Sequence, residues 1–95
     1  MPAATRKGDG STGHGCNPPR NSTGSAAKTT INGILAHRKG DAWPGHNCPK
    51  APPHPGSTSA GSANVVIEGS GVGRVGDPID CGDTCAAGSP NVFVN

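Results

Sequence analysis

The segment "ATRKGD" (Ala4–Asp9) recurs as "AHRKGD" (Ala36–Asp41) and again as "VGRVGD" (Val72–Asp77), and each copy reads Arg-x-Gly-Asp. Self-similarity of this kind constrains a fold more than local propensity does, because copies of one motif become copies of one structural unit. A second element precedes two of the copies: "GSAAKTTING" (Gly24–Gly33) leads into the middle one and "GSANVVIEG" (Gly61–Gly69) into the last. Its third copy, "GSPNVFVN", stands at the far end of the sequence, away from the first Arg-x-Gly-Asp. The repeat is cyclically permuted, so the two ends together supply one unit.

The strand halves alternate with period two. Thr30, Val66 and Phe93 share one parity, while Thr29, Ile31, Val65, Ile67, Val92 and Val94 share the other. Flanking "GS", "NG" and "EG" pairs are turn signals, "NG" being the strongest short hairpin cue. No long 3.6-period stretch is present. The pattern predicts a mostly β chain: three short β-hairpin units related by pseudo-threefold symmetry over residues 1–95, read as one domain, with irregular Gly/Pro-rich loops after each Gly-Asp. The loops after Asp9 and Asp41 are long and that after Asp77 is short, and unequal loops on a near-symmetric core are where specialised chemistry is expected.

Composition asks how such a chain stays folded. Only 31% of its 95 residues are hydrophobic, Trp43 and Phe93 are the aromatics, and sixteen glycines and ten prolines raise the cost of order. Charge is low, 15% of residues with a net +2, which argues against a chain kept open by self-repulsion. Small scaffolds with thin cores recruit disulfides, a metal or a partner. The N-terminus shows no apolar signal segment and no run is long enough to span a bilayer, so synthesis in the cytoplasm without a signal peptide is expected. Under those reducing conditions Cys16, Cys48, Cys81 and Cys85 read as free or metal-bound rather than paired.

Metal ligation is the staple the loops suggest. His14 lies five residues after Asp9, His46 five after Asp41, and Cys81 four after Asp77. Around a pseudo-threefold axis these side chains would converge on one ion, with a fourth donor completing a tetrahedron. His54, eight residues after His46 across a stiff proline-rich spacer, is the chosen fourth, with His37, Cys16, Cys48 and Cys85 as competitors. His37 shares its repeat position with Thr5 and Gly73, which suits a structural hydrogen bond better. A His₃Cys set favours Zn²⁺, with iron possible, over the oxygen-seeking Mg²⁺ and Ca²⁺.

Taken together, "MPAATRKGD", the two later Arg-x-Gly-Asp copies, "GHNCP", "IDCG" and "GSPNVFVN" resemble the PAAR-repeat proteins over nearly the whole chain. The signature arginine is displaced by one position, the first strand "KTTING" lacks the aliphatic run of the others, and His37 adds a fourth histidine. The resemblance implies a small conical domain, metal-stapled at its vertex by three histidines and one cysteine. It also implies that the domain caps the trimeric β-helical spike of a contractile injection machine, either type VI secretion of the VgrG kind or a contractile phage tail. Such a tip would be delivered across the target cell envelope. Its core and the base that binds the spike are expected around Ile31, Val65, Ile67, Val92 and Val94.

Rival motifs carry less. "GVGRVG" satisfies a dinucleotide glycine pattern but lies inside the repeat with no helix to follow, and "SAAK" lacks any supporting catalytic element. Lysines and arginines are scattered, which gives no nucleic-acid patch, and no small-molecule substrate is indicated. A small zinc hydrolase is the alternative from another class. It would need an open coordination position and a general base, yet the single glutamate, Glu68, stands in a turn of the strand half. An effector-carrying adaptor would need extra chain, whereas the repeat runs from residue 2 to Asn95.

Overall fold

A computed structural model describes residues 2–13, 18–48, 51–80 and 82–95, giving the backbone alone at 46–48 and 51–54. Each Arg-x-Gly-Asp copy is a tight turn in which the aspartate N–H donates to the arginine carbonyl, at 3.0, 3.0 and 2.9 Å. Gly8, Gly40 and Gly76 sit at φ 91°, 89° and 96°, the left-handed geometry a type II turn demands of its third residue. The side chains then close over the turn. In all three copies arginine Nε and Nη2 donate to the two carboxylate oxygens of the same repeat's aspartate, and the arginine N–H joins them. These forks hold the guanidinium pKa of Arg6, Arg38 and Arg74 above its ordinary value, chiefly through the hydrogen bonds to Asp9, Asp41 and Asp77.

The three turns meet in a ring. Thr5 N–H donates to Gly73 O (2.8 Å), Gly73 N–H to His37 O (2.8 Å), and His37 N–H to Thr5 O (3.0 Å). The cycle closes on itself and so defines the pseudo-threefold axis expected from the repeat. Outside it, Lys7, Lys39 and Val75 donate to Leu35, Gly71 and Ala3, tying each turn to a hairpin.

Those hairpins are β1 (Thr30–Ile31) with β2 (Ile34–Leu35), and β5 (Val66–Ile67) with β6 (Ser70–Gly71), both antiparallel. The third joins the two ends of the sequence: Ala3 bridges Phe93, and Val94 N–H donates to Pro2 O at 3.0 Å. The cyclic permutation read from the sequence is thus a physical feature. Asn32–Gly33 and Glu68–Gly69 are the turn centres, all four with positive φ, as the tight primed turn requires.

The apolar core lies between the hairpins. Ala4, Ala26, Ile31, Ala36, Val72 and Val94 are buried together, with Val65, Ile67 and Val92 packed against them. Of the strand residues expected at base and core, Ile31 and Val94 are therefore enclosed within the chain and Val65, Ile67 and Val92 are half-buried. The opposite parity faces out: Val66 is 60% and Phe93 49% exposed.

Each loop leaves after its aspartate and returns beside it. Gly8, Gly40 and Gly76 donate to the carbonyls of Ser22, Thr58 and Cys85, whose own N–H groups donate back to Asp9, Asp41 and Asp77. The loops are more regular than their proline content suggests. Residues 42–57 form a ribbon, β3 (Ala42–Cys48) paired antiparallel with β4 (Ala51–Ser57). Both strands are edges, so proline costs no ladder bond to a third strand, and register shifts between Trp43 and His46 and between His46 and Cys48 absorb the irregularity. The shorter loops repeat the theme with the bridges Gly10–Asn21 and Pro78–Thr84. The molecule extends 38 × 23 × 22 Å. Among the described residues there is no helix, and none long and apolar enough to cross a membrane.

Candidate metal centre at the loop end

The three loops are bonded to one another pairwise. Between the first and second, Arg20 Nη1 donates to Pro44 O, and the Arg20 guanidinium lies 5.7 Å from the Trp43 ring centre. Between the second and third, Ser57 N–H and Oγ–H donate to the Asp80 carboxylate at 3.1 and 3.2 Å. Between the third and first, Thr12 Oγ1–H lies 2.9 Å from an Asp83 carboxylate oxygen and Thr12 N–H donates to Thr84 O at 3.0 Å. Beneath these ties Trp43, Ile79 and Cys85 form a second small core.

Asp83 anchors this layer. Burial pushes its carboxyl pKa up, but hydrogen bonds from Ser11 and Thr12 and from the backbone N–H groups of Thr84 and Gly13 more than offset it and hold the pKa below the usual value. The carboxylate also faces Arg20 Nε at 3.7 Å, both groups being buried. Paired burial of this kind keeps both charges tolerable.

Three of the expected ligands follow these ties closely in sequence. Thr12 is two residues before His14, Pro44 two before His46, and Asp80 immediately before Cys81. His14, Cys81 and Cys16 lie outside the described residues. For His46 and His54 the backbone register is defined: they are direct partners across the β3–β4 ribbon. Cys48 pairs with Ala51 in the same ribbon. The register thus sets two of the four expected ligands, His46 and His54, opposite each other in the ribbon. Among the described residues no group of three His, Cys, Asp or Glu side chains could hold an ion.

His37 has another occupation. It is fully buried on the axis, with Nδ1 2.9 Å from Gly24 O and Nε2 2.6 Å from Thr58 Oγ1. A carbonyl only accepts, so Nδ1 carries the proton. Burial is the largest influence on the ring and moves its pKa below the ordinary value, so the ring is neutral near pH 7 and Nε2 accepts the Thr58 hydroxyl proton. Thr58 Oγ1 in turn accepts from Trp43 Nε1–H at 2.9 Å and lies 3.9 Å from Cys85 Sγ. With both nitrogens engaged, His37 has no lone pair for a metal, which is the structural role its repeat position suggests. Room for the ring comes from the third repeat: a Cβ on Gly73 would stand 3.0 Å from His37 Cδ2.

Cys85, also a competitor, is a free, buried thiol that burial pushes up to about 11. It packs as a small apolar residue of the second core. Glu68, the base required by the hydrolase reading, spends its carboxylate on the first repeat, accepting from Ala27 N–H, Lys28 N–H and Thr29 Oγ1–H at 3.0, 3.0 and 2.9 Å. The Lys28 bond leads in holding its pKa below the ordinary value.

Arg20, Thr58 and Asp83 are structural residues of the site that belong to no sequence motif. For Thr58 a signal exists in the repeat, since it shares its position with Ser22 and Cys85. Arg20 and Asp83 stand in loops without repeat counterparts. Compared with known proteins, the chain matches the family model described as PAAR motif over residues 12–87. No curated protein matches it.

Proposed function

The chain belongs to the PAAR-motif family, and from that premise we propose that it is the tip of a contractile injection machine, one copy capping a trimeric β-helical spike. The reading includes one structural Zn²⁺ held by His14, His46, His54 and Cys81 at the loop end. That end would lead in puncturing the target cell envelope, and the hairpin end would seat on the spike.

The observation that carries the spike role is the closed backbone ring of Thr5, His37 and Gly73. A single chain with threefold backbone symmetry is the form of cap that a threefold trimer requires, because it can meet three equivalent strand ends at once and leave no edge unpaired. The outward residues Val66 and Phe93, on corresponding positions of two hairpins, are apolar surface that a partner would cover. Metal at the opposite end fits mechanically. Among the described residues the loop layer has a core of Trp43, Ile79 and Cys85, and a bound Zn²⁺ would crosslink all three loops beyond it.

The test is co-expression with candidate trimeric spikes of phage-tail and type VI secretion origin, followed by sizing and native mass spectrometry. A complex of one chain to three spike chains, with about one zinc per chain, is expected. A chain that stays monomeric beside every such trimer would overturn the spike reading. Coordination spectroscopy addresses the rival hydrolase: a water in the fourth position would favour it, a closed His₃Cys shell the tip.

A further inference from the structure

The hairpin turns do more than reverse the chain, because each reaches across to the next repeat. Asn32, at the first turn, accepts from Ser89 Oγ–H (2.5 Å) and Arg6 Nη1 (3.4 Å), and donates through Nδ2 to Asn91 Oδ1 (2.8 Å). Glu68, at the second turn, accepts from the Ala27 and Lys28 N–H groups and the Thr29 hydroxyl through its carboxylate, while its carbonyl accepts from Arg38 Nη1 at 3.0 Å. Two of three inter-repeat clasps are therefore in place.

The position of the third follows from register. Ala36, Val72 and Ala4 donate to the carbonyls of Thr29, Val65 and Val92, which makes these last three equivalent. Three residues further along stand Asn32, Glu68 and Asn95. Asn95 thus holds the clasp position of the third hairpin, where Val94 already pairs with Pro2. In this structure Asn95 is exposed and makes no hydrogen bond among the described residues.

Its receptor is formed nonetheless. Ser62 corresponds to Ser89: each serine oxygen accepts two N–H groups, from Asn64 and Val65 in one case and from Asn91 and Val92 in the other. Ser89 spends its hydroxyl proton on the clasp, whereas the proton of Ser62, which is 5% exposed, has no acceptor among the described residues. Asn64 matches Asn91, and its side-chain amide is likewise unused. Arg74 matches Arg6: Nε and Nη2 hold Asp77, and Nη1, the atom that meets Asn32 in the first repeat, makes no hydrogen bond among the described residues.

We propose that Ser62, Asn64 and Arg74 form a binding site for a side-chain carboxamide, and that its occupant is Asn95, completing a set of three inter-repeat clasps. The clasp latches the hairpin built from the two ends of the sequence, the one unit of the ring that no covalent turn holds. By equivalence with the first clasp, the Ser62 hydroxyl and Arg74 Nη1 would donate to the occupant's oxygen and Asn64 Oδ1 would accept from its N–H, a set that suits a carboxamide and nothing apolar. The proposal rests on the repeat geometry and stands whether or not the chain caps a spike.

Double-mutant cycles in the full chain test it. Ser62→Ala and Asn95→Gly, singly and together, are compared by urea unfolding with the reference cycle Ser89→Ala and Asn32→Gly, in which the serine caps its segment in the same way. The proposal expects Ser62 and Asn95 to be coupled at least threefold in the unfolding equilibrium constant, with the sign of the reference cycle. Additive effects at Ser62 and Asn95 beside a coupled reference cycle would overturn it. Should a variant not fold, the wild-type protein answers by NMR: a through-space contact between the Asn95 side-chain amide and Ser62 Hβ is expected, and a freely exchanging Asn95 amide without that contact is the overturning result.

Discussion

The ring of repeats and the loop layer above it are held by different physics. In the ring, backbone hydrogen bonds recur three times with nearly the same lengths while the residues carrying them vary as widely as Thr5, His37 and Gly73. In the loop layer backbone bonds such as Thr12 N–H to Thr84 O and Asp80 N–H to Ser57 O are joined by side-chain ties that each occur once: Arg20 to Pro44, Ser57 to Asp80, Thr12 to Asp83. Backbone pairing tolerates substitution because the donor and acceptor belong to every residue. Side-chain ties do not, and the layer that relies on them is where this fold can afford unequal loops.

Metal removal should separate the two regions most strongly. Structural zinc contributes about 10–16 kcal/mol of apparent binding free energy in small peptides, as large as the whole stability of a domain this size. Chelation, or His46→Ala or Cys81→Ala, is expected to lower the melting temperature sharply. It should abolish amide-exchange protection in residues 45–56 before that of Thr5, His37 and Gly73. Equal loss of protection in ring and loops would mean that the layers unfold as one unit, and unchanged protection would remove the metal from the account.

The ring predicts equality instead. Asp9→Ala, Asp41→Ala and Asp77→Ala each remove a fork of charge-assisted hydrogen bonds, at a cost of about 2–4 kcal/mol. Because the three forks share one geometry, their costs should agree within about 1 kcal/mol, the usual scatter of context. Urea denaturation of the three variants checks this. One aspartate far costlier than the others would show that the threefold backbone hides an unequal distribution of stability. Thr58→Val probes the junction between regions. It leaves His37 Nε2 and Trp43 Nε1–H without their shared partner, a loss of about 2–3 kcal/mol, while Thr58→Ser keeps the hydroxyl and should recover most of it.

How much of this was legible beforehand follows the same division. The turns, strand parity and split third hairpin could be read because a repeated backbone role leaves a repeated sequence: glycine where φ must be positive, Arg and Asp where the fork closes. The placement of His37 was legible from its alignment with Thr5 and Gly73. The β3–β4 ribbon was hidden by its prolines, which signal irregular chain unless one knows that both strands are edges. Arg20, Trp43 and Asp83 were hidden for a different reason, since a contact between loops of unequal length has no fixed spacing to search for. Asn32, Glu68 and Asn95 occupy one register position, but a polar residue in a turn reads as solvated until its partner across the repeat is seen.

The smallest expected effect lies on the axis itself and tests whether the ring's one titratable member keeps the proton state assigned to it. Unfolded, His37 titrates near the ordinary value of about 6.5; folded, its pKa is lowered, first by burial and then by Arg38, against the opposing hydrogen bond to Gly24 and the charges of Asp41 and Asp9. The Cys85 thiol, pushed up to about 11, stays protonated throughout this range. Below pH 6.5 the unfolded chain therefore binds a proton that the folded chain refuses, so stability is full above that pH and declines as the pH falls toward the folded pKa. By pH 5.5 the His37 contribution to this loss reaches at most about 1.4 kcal/mol. Protonation would also place a second donor against Thr58 Oγ1, which already takes the Trp43 N–H, and would leave the Thr58 proton without its acceptor. His37→Gln offers a donor and an acceptor without titrating, so the difference in its unfolding free energy between pH 7.5 and 5.5 should be smaller than the wild-type difference by up to that amount. Any histidine bound to metal titrates alike in both proteins and cancels. Identical pH dependence in the two would show that His37 keeps its ordinary pKa, and with it that the hydroxyl of Thr58 is not committed to the ring nitrogen.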